Sequence, residues 1–456
     1  MLSAISIAKR IPHDFILGVA TSSWQIEGSS HSRGRSIWDD FAEITGYVKD
    51  GANVDPACDH LNKWHEDLNL IKELGFNAYR LSISWPRILP DGTGNINVAG
   101  LNFYDKLIDR LLELKIKPVL TIYHWDLPSK LQDLGGWESP QTVDAFTEYT
   151  EVLANKFADR VDRWATLNEP WCPAFLGYST KIHAPALGKP GAGFTAAYYQ
   201  MLAHARAVAV LRSKKAQNIG TVLNLFPVLT NSTEVEEAVM HIDGVQNRLF
   251  LDPLAGRGIP QDVIERTLDL NDWKFINDSE VKEMSAKIDW LGVNYYTVMR
   301  IDSINKQFEG ETLGQDAGAF PGTPAIKFTP REPRTQMGWE VNSEGLTETL
   351  KITSERLPGV PLFVTENGSA YPDSLINGEI KDIKRTEYFA NHISATLDAI
   401  DQGVDVRGYF AWSLLDNLEW AEGWSKRFGI VHVDPVTQVR TQKNSAKFLQ
   451  EISKSR

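Results

Sequence analysis

Eight short apolar runs alternate with amphipathic stretches along the chain, and few folds accept that pattern. The runs read at Phe15–Ser23, Ala78–Trp85, Pro118–His124, Val161–Asn168, Thr221–Val228, Trp290–Thr297, Leu362–Glu366 and Val406–Leu414. Between them the apolar period changes: Leu101, Tyr104, Leu107, Ile108, Leu111 and Leu112 recur three or four apart, which puts them on one face of a helix over Leu101–Leu114. Further helices are predicted at Trp64–Leu74, Val143–Phe157, Thr195–Leu211, Ser343–Leu357 and Arg385–Ile400, with Gly75 and Gly403 as stops after two of them. Strict alternation calls for parallel strands, because each helical crossover returns the chain to the same edge. Eight repeats favour closure. The expected fold is α/β: a (β/α)8 TIM barrel in one catalytic domain, residues 1–456, with extended loops at the C-terminal face of the strands. A doubly wound open sheet is the weaker alternative.

Chemistry in such a barrel sits where the strands end. Glu169 ends the fourth run, Glu366 the seventh and His124 the third; Trp412 and Glu419 lie at or beyond the end of the eighth, Arg80 lies inside the second, and Asn294 and Tyr296 lie near the end of the sixth. The two glutamates are set in Thr166-Leu-Asn-Glu-Pro170 and Val364-Thr-Glu-Asn-Gly368, about 200 residues apart, each where an apolar run gives way to turn residues. A single such glutamate is usually a solvated loop charge. Two carboxyls facing each other across a substrate are the minimal apparatus for splitting a glycosidic bond. Two turn-rich stretches, Ile304–Met337 (irregular by its Pro321, Pro324, Pro330 and Pro333) and Trp171–Gly193, are expected to wall the pocket.

Composition narrows the ligand. With 59 acids against 47 bases the formal charge is −12, which argues against nucleic acid and anionic membranes as partners and fits a neutral substrate. Of the 14 tryptophans, Trp24, Trp125, Trp171, Trp339, Trp412, Trp420 and Trp424 stand beside polar residues at segment ends. An indole has a flat apolar face and an N–H, which suits the C–H patches and hydroxyl edges of a sugar ring. Any one of them alone reads as packing. The two cysteines, Cys58 and Cys172, read as buried thiols, and His60 and His65 are five apart instead of the four that align metal ligands on a helix. No cofactor or metal is implied. No run approaches the ~20 apolar residues of a membrane helix, and Met1–Arg10 has the wrong residue order for a secretory signal, so a cytoplasmic protein is expected.

The motifs together resemble glycoside hydrolase family 1, the retaining β-glycosidases. The resemblance runs from Phe15 to about Val433 through Phe15-Ile-Leu-Gly-Val-Ala-Thr-Ser-Ser-Trp-Gln-Ile-Glu-Gly28, Tyr79-Arg-Leu-Ser-Ile-Ser-Trp-Pro-Arg87, Tyr123-His-Trp-Asp126, Thr166-Leu-Asn-Glu-Pro170, Asn294-Tyr-Tyr296, Val364-Thr-Glu-Asn-Gly368 and Trp412-Ser-Leu-Leu-Asp-Asn-Leu-Glu-Trp420. It implies that Glu169 is the general acid/base and Glu366 the nucleophile, with their carboxyls roughly 5–5.5 Å apart. Arg80, Asn294 and Tyr296 would support the nucleophile. Gln25, His124, Trp125, Asn168, Glu419, Trp420 and Phe428 would line the sugar site, with Trp412 as a stacking floor, Asn168 on the 2-hydroxyl and Trp339 as a leaving-group platform.

The same resemblance separates subgroups. Members acting on 6-phospho-sugars carry serine where this chain has Glu419 and a phosphate-binding tyrosine where it has Phe428; a carboxylate there repels a phosphate dianion, whatever Lys426 contributes. Glu169 argues against the thioglucosidase branch, which has Gln. Leu17 and Leu418 depart from the usual Trp and Phe and are expected to alter packing near the pocket. The expected activity is that of a β-glucosidase removing terminal non-reducing β-D-glucosyl units from small β-glucosides such as cellobiose, short cello-oligosaccharides and aryl glucosides, with retention. A β-galactosidase or β-fucosidase preference is the alternative, followed by a 6-phospho-β-glucosidase or a non-catalytic sugar-binding barrel.

Overall fold

Eight parallel strands close into a barrel in the computed structural model, which describes residues 2–52, 54–304, 317–323 and 326–456. In chain order they are β1 (Ile16–Ala20), β2 (Ala78–Ser82), β3 (Lys117–Tyr123), β4 (Arg163–Asn168), β5 (Ile219–Asn224), β6 (Trp290–Asn294), β7 (Leu362–Asn367) and β8 (Val406–Trp412). Each pairs with its neighbour in sequence, and β1 closes on β8 with Ile16 opposite Gly408 and Ala20 opposite Trp412. Each of the eight expected runs supplies one strand of this barrel, and the open-sheet alternative is excluded by the closing pair.

The helices wrap the outside: α1 (His60–Glu73), α2 (Val98–Glu113), α3 (Pro140–Phe157), α4 (Ala192–Ser213), α5 (Glu236–Asp243), α6 (Ser343–Arg356), α7 (Ile383–Asp401) and α8 (Asn444–Ser455). α2 begins where Asn97 caps the amide of Gly100 and buries Tyr104, Leu107, Ile108 and Leu111 against the barrel. Leu112, expected on that face, instead points to solvent. Gly75 and Gly403 follow α1 and α7 at φ 80° and 92°, left-handed values that favour glycine.

Period-2 alternation divides each strand between two cores. On β1, Leu17 and Val19 join the large outer core with the helices, whereas Ile16 and Ala20 join an inner cluster with Ala78, Val119, Ala165, Val222, Phe363, Phe410 and Trp412. Leu17 therefore lies on the helix side of β1, and its departure from Trp cannot alter pocket packing directly. Arg80 alternates with Tyr79 and Leu81 and so enters the barrel interior two residues beyond Ala78.

Three expectations about loops need correction. The run Thr221–Val228 is two elements: β5 ends at Asn224, and Val228–Leu229 pairs with Met299–Ile304 in a small separate sheet. The segment expected to be irregular from Ile304 onward contributes Ile326–Phe328 to that sheet, antiparallel to Met299–Ile304; its residues 305–316 and 324–325, Pro324 among them, lie outside the described residues. Trp171–Gly193 opens with a buried π-helical segment, Cys172–Ser179. Its Pro and Gly suggested turns, but its unbroken apolar character favours burial, and burial requires the backbone to satisfy its own hydrogen bonds.

Inside the barrel Gly18 leaves room for the Phe410 ring. A Cβ at position 18 would stand 2.4 Å from that ring and 2.9 Å from the Ala78 carbonyl. Overpacking of this kind costs about 1–3 kcal/mol. Gly18→Ala should therefore lower the thermal unfolding midpoint followed by circular dichroism, and an unchanged midpoint would show that the inner core can give way there.

Candidate active site

At the C-terminal mouth of the barrel the strands break register just before the residues of interest. β4 and β5 slip between Ala165 and Asn168, and β7 slips against β6 between Val364 and Glu366, so that Glu366 comes level with Asn294. Such irregularities turn a side chain that would otherwise follow the pleat. Glu169 follows β4 with φ 47°, and two other pocket residues, Trp125 (φ 78°) and Trp420 (φ 50°), are also left-handed. Backbone of this kind in a residue other than glycine costs about 1–3 kcal/mol and persists only where neighbours hold it. The Glu169 amide donates to the Val222 carbonyl at 2.9 Å, the Trp125 indole donates to the Asn168 carbonyl at 2.8 Å, and the Trp420 ring lies flat on Trp24 at 5.5 Å.

Both glutamates line one cavity with about 840 Å³ of empty space, part of it open to solvent, which is within the range of small-molecule sites. Their surroundings differ. Glu366 accepts from Arg80 Nη1 at 2.5 Å on Oε1 and from the Tyr296 hydroxyl at 2.7 Å on Oε2. Glu169 accepts from Asn294 Nδ2 at 2.6 Å on Oε1 and from the Cys172 thiol at 3.2 Å on Oε2, with no cation in contact among the described residues. Burial first and the negative charge of Glu366 second push the Glu169 carboxyl well above the ordinary carboxylate range; its neutral donors and the more distant Arg80 offset this only in part.

The remaining expected residues fall into a front and a back row. His124, Trp125, Asn294, Tyr296, Trp339, Trp412, Glu419, Trp420 and Phe428 line the cavity, whereas Gln25, Arg80 and Asn168 stand behind its wall. Gln25 donates to Asn417 Oδ1 and to the Leu418 carbonyl, which shows what Leu418 contributes: a backbone acceptor beside Glu419. Asn168 Oδ1 accepts from Arg80 Nη2 at 2.6 Å and from Asn294 Nδ2 at 3.1 Å, which fixes its amide so that Nδ2 donates to His124 Nε2 at 3.0 Å. The neutral imidazole therefore carries its proton on Nδ1, which has no partner among the described residues. Burial and Arg80 lower the His124 pKa and keep the ring neutral. Glu419 Oε2 is likewise buried with no partner among the described residues, and burial together with Glu366 raises the pKa of its carboxyl.

Aromatic walls complete the cavity. His124 stacks at 5.9 Å on both Trp412 and Trp420, and Trp339 meets Tyr296 at 5.5 Å and Phe428 at 6.1 Å. The Lys426 ammonium is bound to the Gln336 carbonyl at 2.9 Å. Cys172, Leu176 and His183 line the cavity from the Trp171–Gly193 stretch expected to wall it, whereas Asn224, Phe226, Thr297 and Met299 line it without having been expected there. Trp171, one of the tryptophans singled out, lines it too. Cys172 stands three residues after Glu169. Among the described residues no three His, Cys, Asp or Glu side chains are grouped to hold a metal, and no helix is long and apolar enough to cross a membrane.

A parallel eight-stranded barrel with two buried, differently partnered carboxyls in an aromatic pocket defines a glycosidase of the carboxylate-pair class. The profile of "Glycosyl hydrolase family 1" matches residues 7–456, and the chain belongs to that family. It is 43% identical over 98% of both chains to "Beta-glucosidase A" of Thermotoga maritima, and 39% identical to the "Bifunctional beta-D-glucosidase/beta-D-fucosidase" of Bifidobacterium breve, over 95% of this chain and 96% of that one. Among solved structures it is similar to "Beta-glucosidase from Thermotoga maritima in complex with azafagomine", with a TM-score of 0.90, 42% identity, and 98% and 99% of the two chains covered. The "AHE enzyme from Alicyclobacillus herbarius" gives a TM-score of 0.91 at 39% identity over 97% of each chain.

Because Glu366 is one cause of the raised Glu169 pKa, Glu366→Gln should bring that value down. Carbon-13 NMR titration of labelled glutamate can follow it, and an unmoved titration would mean that the two carboxyls do not sense each other.

Proposed function

We propose that this protein is a β-glucosidase that removes terminal non-reducing β-D-glucosyl units from small β-glucosides by a retaining double displacement, with Glu169 as acid/base and Glu366 as nucleophile. The observation that carries the reading is the unequal partnering of two buried carboxyls in one cavity. A carboxylate held by Arg80 and the Tyr296 hydroxyl is aimed by two donors, one of them a cation. A carboxyl buried beside a negative charge keeps its proton near neutral pH.

In the first displacement Glu366 attacks the anomeric carbon, the bond to the leaving oxygen breaks, and the Glu169 proton passes to that oxygen. Bonding of Glu366 to the sugar removes its charge, so the pKa of Glu169 drops and the group becomes a base. It then takes a proton from water, the hydroxide adds to the anomeric carbon, and Glu366 leaves. The unpartnered His124 Nδ1–H and Glu419 Oε2 supply a donor and an acceptor for sugar hydroxyls. Buried polar groups of this kind discriminate strongly against sugars that leave them unpaired. Glu419, Phe428 in place of a hydroxyl-bearing ring, and the engaged Lys426 support an unphosphorylated glycone. The name of the Bifidobacterium breve relative favours β-D-fucosides as a second substrate class.

Glu169→Gln should lower turnover of cellobiose by about 10²–10⁴-fold, the usual contribution of a general acid/base, and Glu366→Gln should lower it at least as far, with glucose binding retained in both. Unchanged turnover in either variant would remove the assignment. Initial rates on a panel of aryl β-D-glycosides should rank glucoside and fucoside far above 6-phosphoglucoside. A preference for the phosphorylated sugar would overturn the role given to Glu419.

A further inference from the structure

The acid/base carboxyl has a partner that the scheme above leaves idle. Cys172, the first residue of the π-helical segment after β4, is buried in the cavity wall with its Sγ 3.2 Å from Glu169 Oε2. Asn224, at the end of β5, brings Nδ2 to 3.6 Å from the same sulfur. An amide nitrogen only donates, so the sulfur accepts from Asn224, and its own proton is left to point at the carboxylate. On the other side of the carboxyl, Oε1 is occupied by Asn294 Nδ2.

We propose that Cys172, oriented by Asn224, is a positioning residue for the acid/base group: its S–H holds Oε2 in place and favours the ionised form that acts as base in the second displacement. This rests on the assignment of Glu169 above. The charged and titratable groups around Glu169 come from every side of the barrel mouth: Arg80 on β2, His124 after β3, Tyr296 after β6, Glu366 on β7 and Glu419 beyond β8, with His183 further along the same cavity. Among the described residues, Cys172 is the one hydrogen-bond donor that reaches Oε2. Burial beside Glu169 keeps the thiol itself protonated, since its pKa is pushed well above the ordinary range. It can donate throughout the cycle and has no need to act as a nucleophile.

The sign of the effect follows from which form the thiol favours. A donor to the carboxylate lowers the Glu169 pKa, so deleting the donor raises it and moves the alkaline limb of kcat/KM to higher pH. Cys172→Ala and Cys172→Val should each shift that limb upward by about half a pH unit, as expected for loss of a weak donor to a charged acceptor. Both should also lower kcat on an aryl glucoside with a fast leaving group, for which the second displacement limits turnover. Cys172→Ser keeps a hydroxyl donor and should restore both to near wild type. Asn224→Ala, which frees the thiol to rotate, should give a smaller shift in the same direction. Circular dichroism and the thermal midpoint identify any variant that has not folded, and the Val and Asn224 variants then carry the test. A wild-type limb in every folded donor-less variant, or one shift shared by Ala and Ser, overturns the proposal. Glu169→Gln, measured alongside, separates the two layers: if it retains cellobiose turnover the acid/base assignment itself has failed, whereas if it is inactive the outcome bears on Cys172 alone.

Discussion

A guanidinium buried inside the barrel is the constraint around which the site is built. Arg80 is 1% exposed, and withdrawing such an ion from water costs several kcal/mol unless its N–H groups are met. They are met by Thr121 Oγ1 on β3, Asn168 Oδ1 on β4, and the Thr365 carbonyl and Glu366 Oε1 on β7. Solvating one cation thus fixes three strands relative to β2. The same contacts aim the Glu366 carboxylate, orient the Asn168 amide, and through that amide select the tautomer of His124. A substrate-facing donor is thus decided by a guanidinium that does not itself line the cavity.

The chemistry depends on making two identical side chains different. Glu366 meets a cation and a hydroxyl; Glu169 meets an amide, a thiol and the charge of Glu366 itself. Burial favours the neutral form of Glu169, and the charge of Glu366 adds to it. On the proposed roles, loss of the Glu366 charge lowers the Glu169 pKa at the step where Glu169 must act as base. Donors to Glu169 are weak or neutral, which keeps its proton transferable. A cation beside it would favour the ionised form.

Rigidity of the walls comes from aromatic packing behind the cavity. Trp38 lies against Trp24, Trp420 and His183, at 5.5, 4.6 and 5.1 Å, and Trp125 packs on Trp420 at 4.5 Å. This mass of rings holds Trp125 and Trp420 in left-handed backbone that neither would adopt alone. Side chains locked by their neighbours are what keep a binding site within the tolerance that catalysis needs.

Fold class, the eight strands and the two glutamates were legible because they are local signals: alternation of period, helix stops at Gly75 and Gly403, and short motifs at strand ends. The recurrence of motifs in one order made the family legible as well. Less was visible in the walls. The Pro and Gly of Cys172–Ser179 suggested turns, yet the segment is a buried helix, because burial and not local preference decided its backbone. Cys172 read as a buried thiol, and Phe226 and Met299 carried no sign of a role, since each reaches the cavity through a loop or a small sheet that is closed by residues far away in the chain. Leu17 was expected to alter packing near the pocket and lies on the helix side of β1, a matter of strand register. The amino-acid order by itself determined which elements form and which residues could do chemistry. Tertiary structure alone decided which carboxyl keeps its proton, because that depends on burial and on charges brought together across the barrel, and neither quantity exists until the strands close.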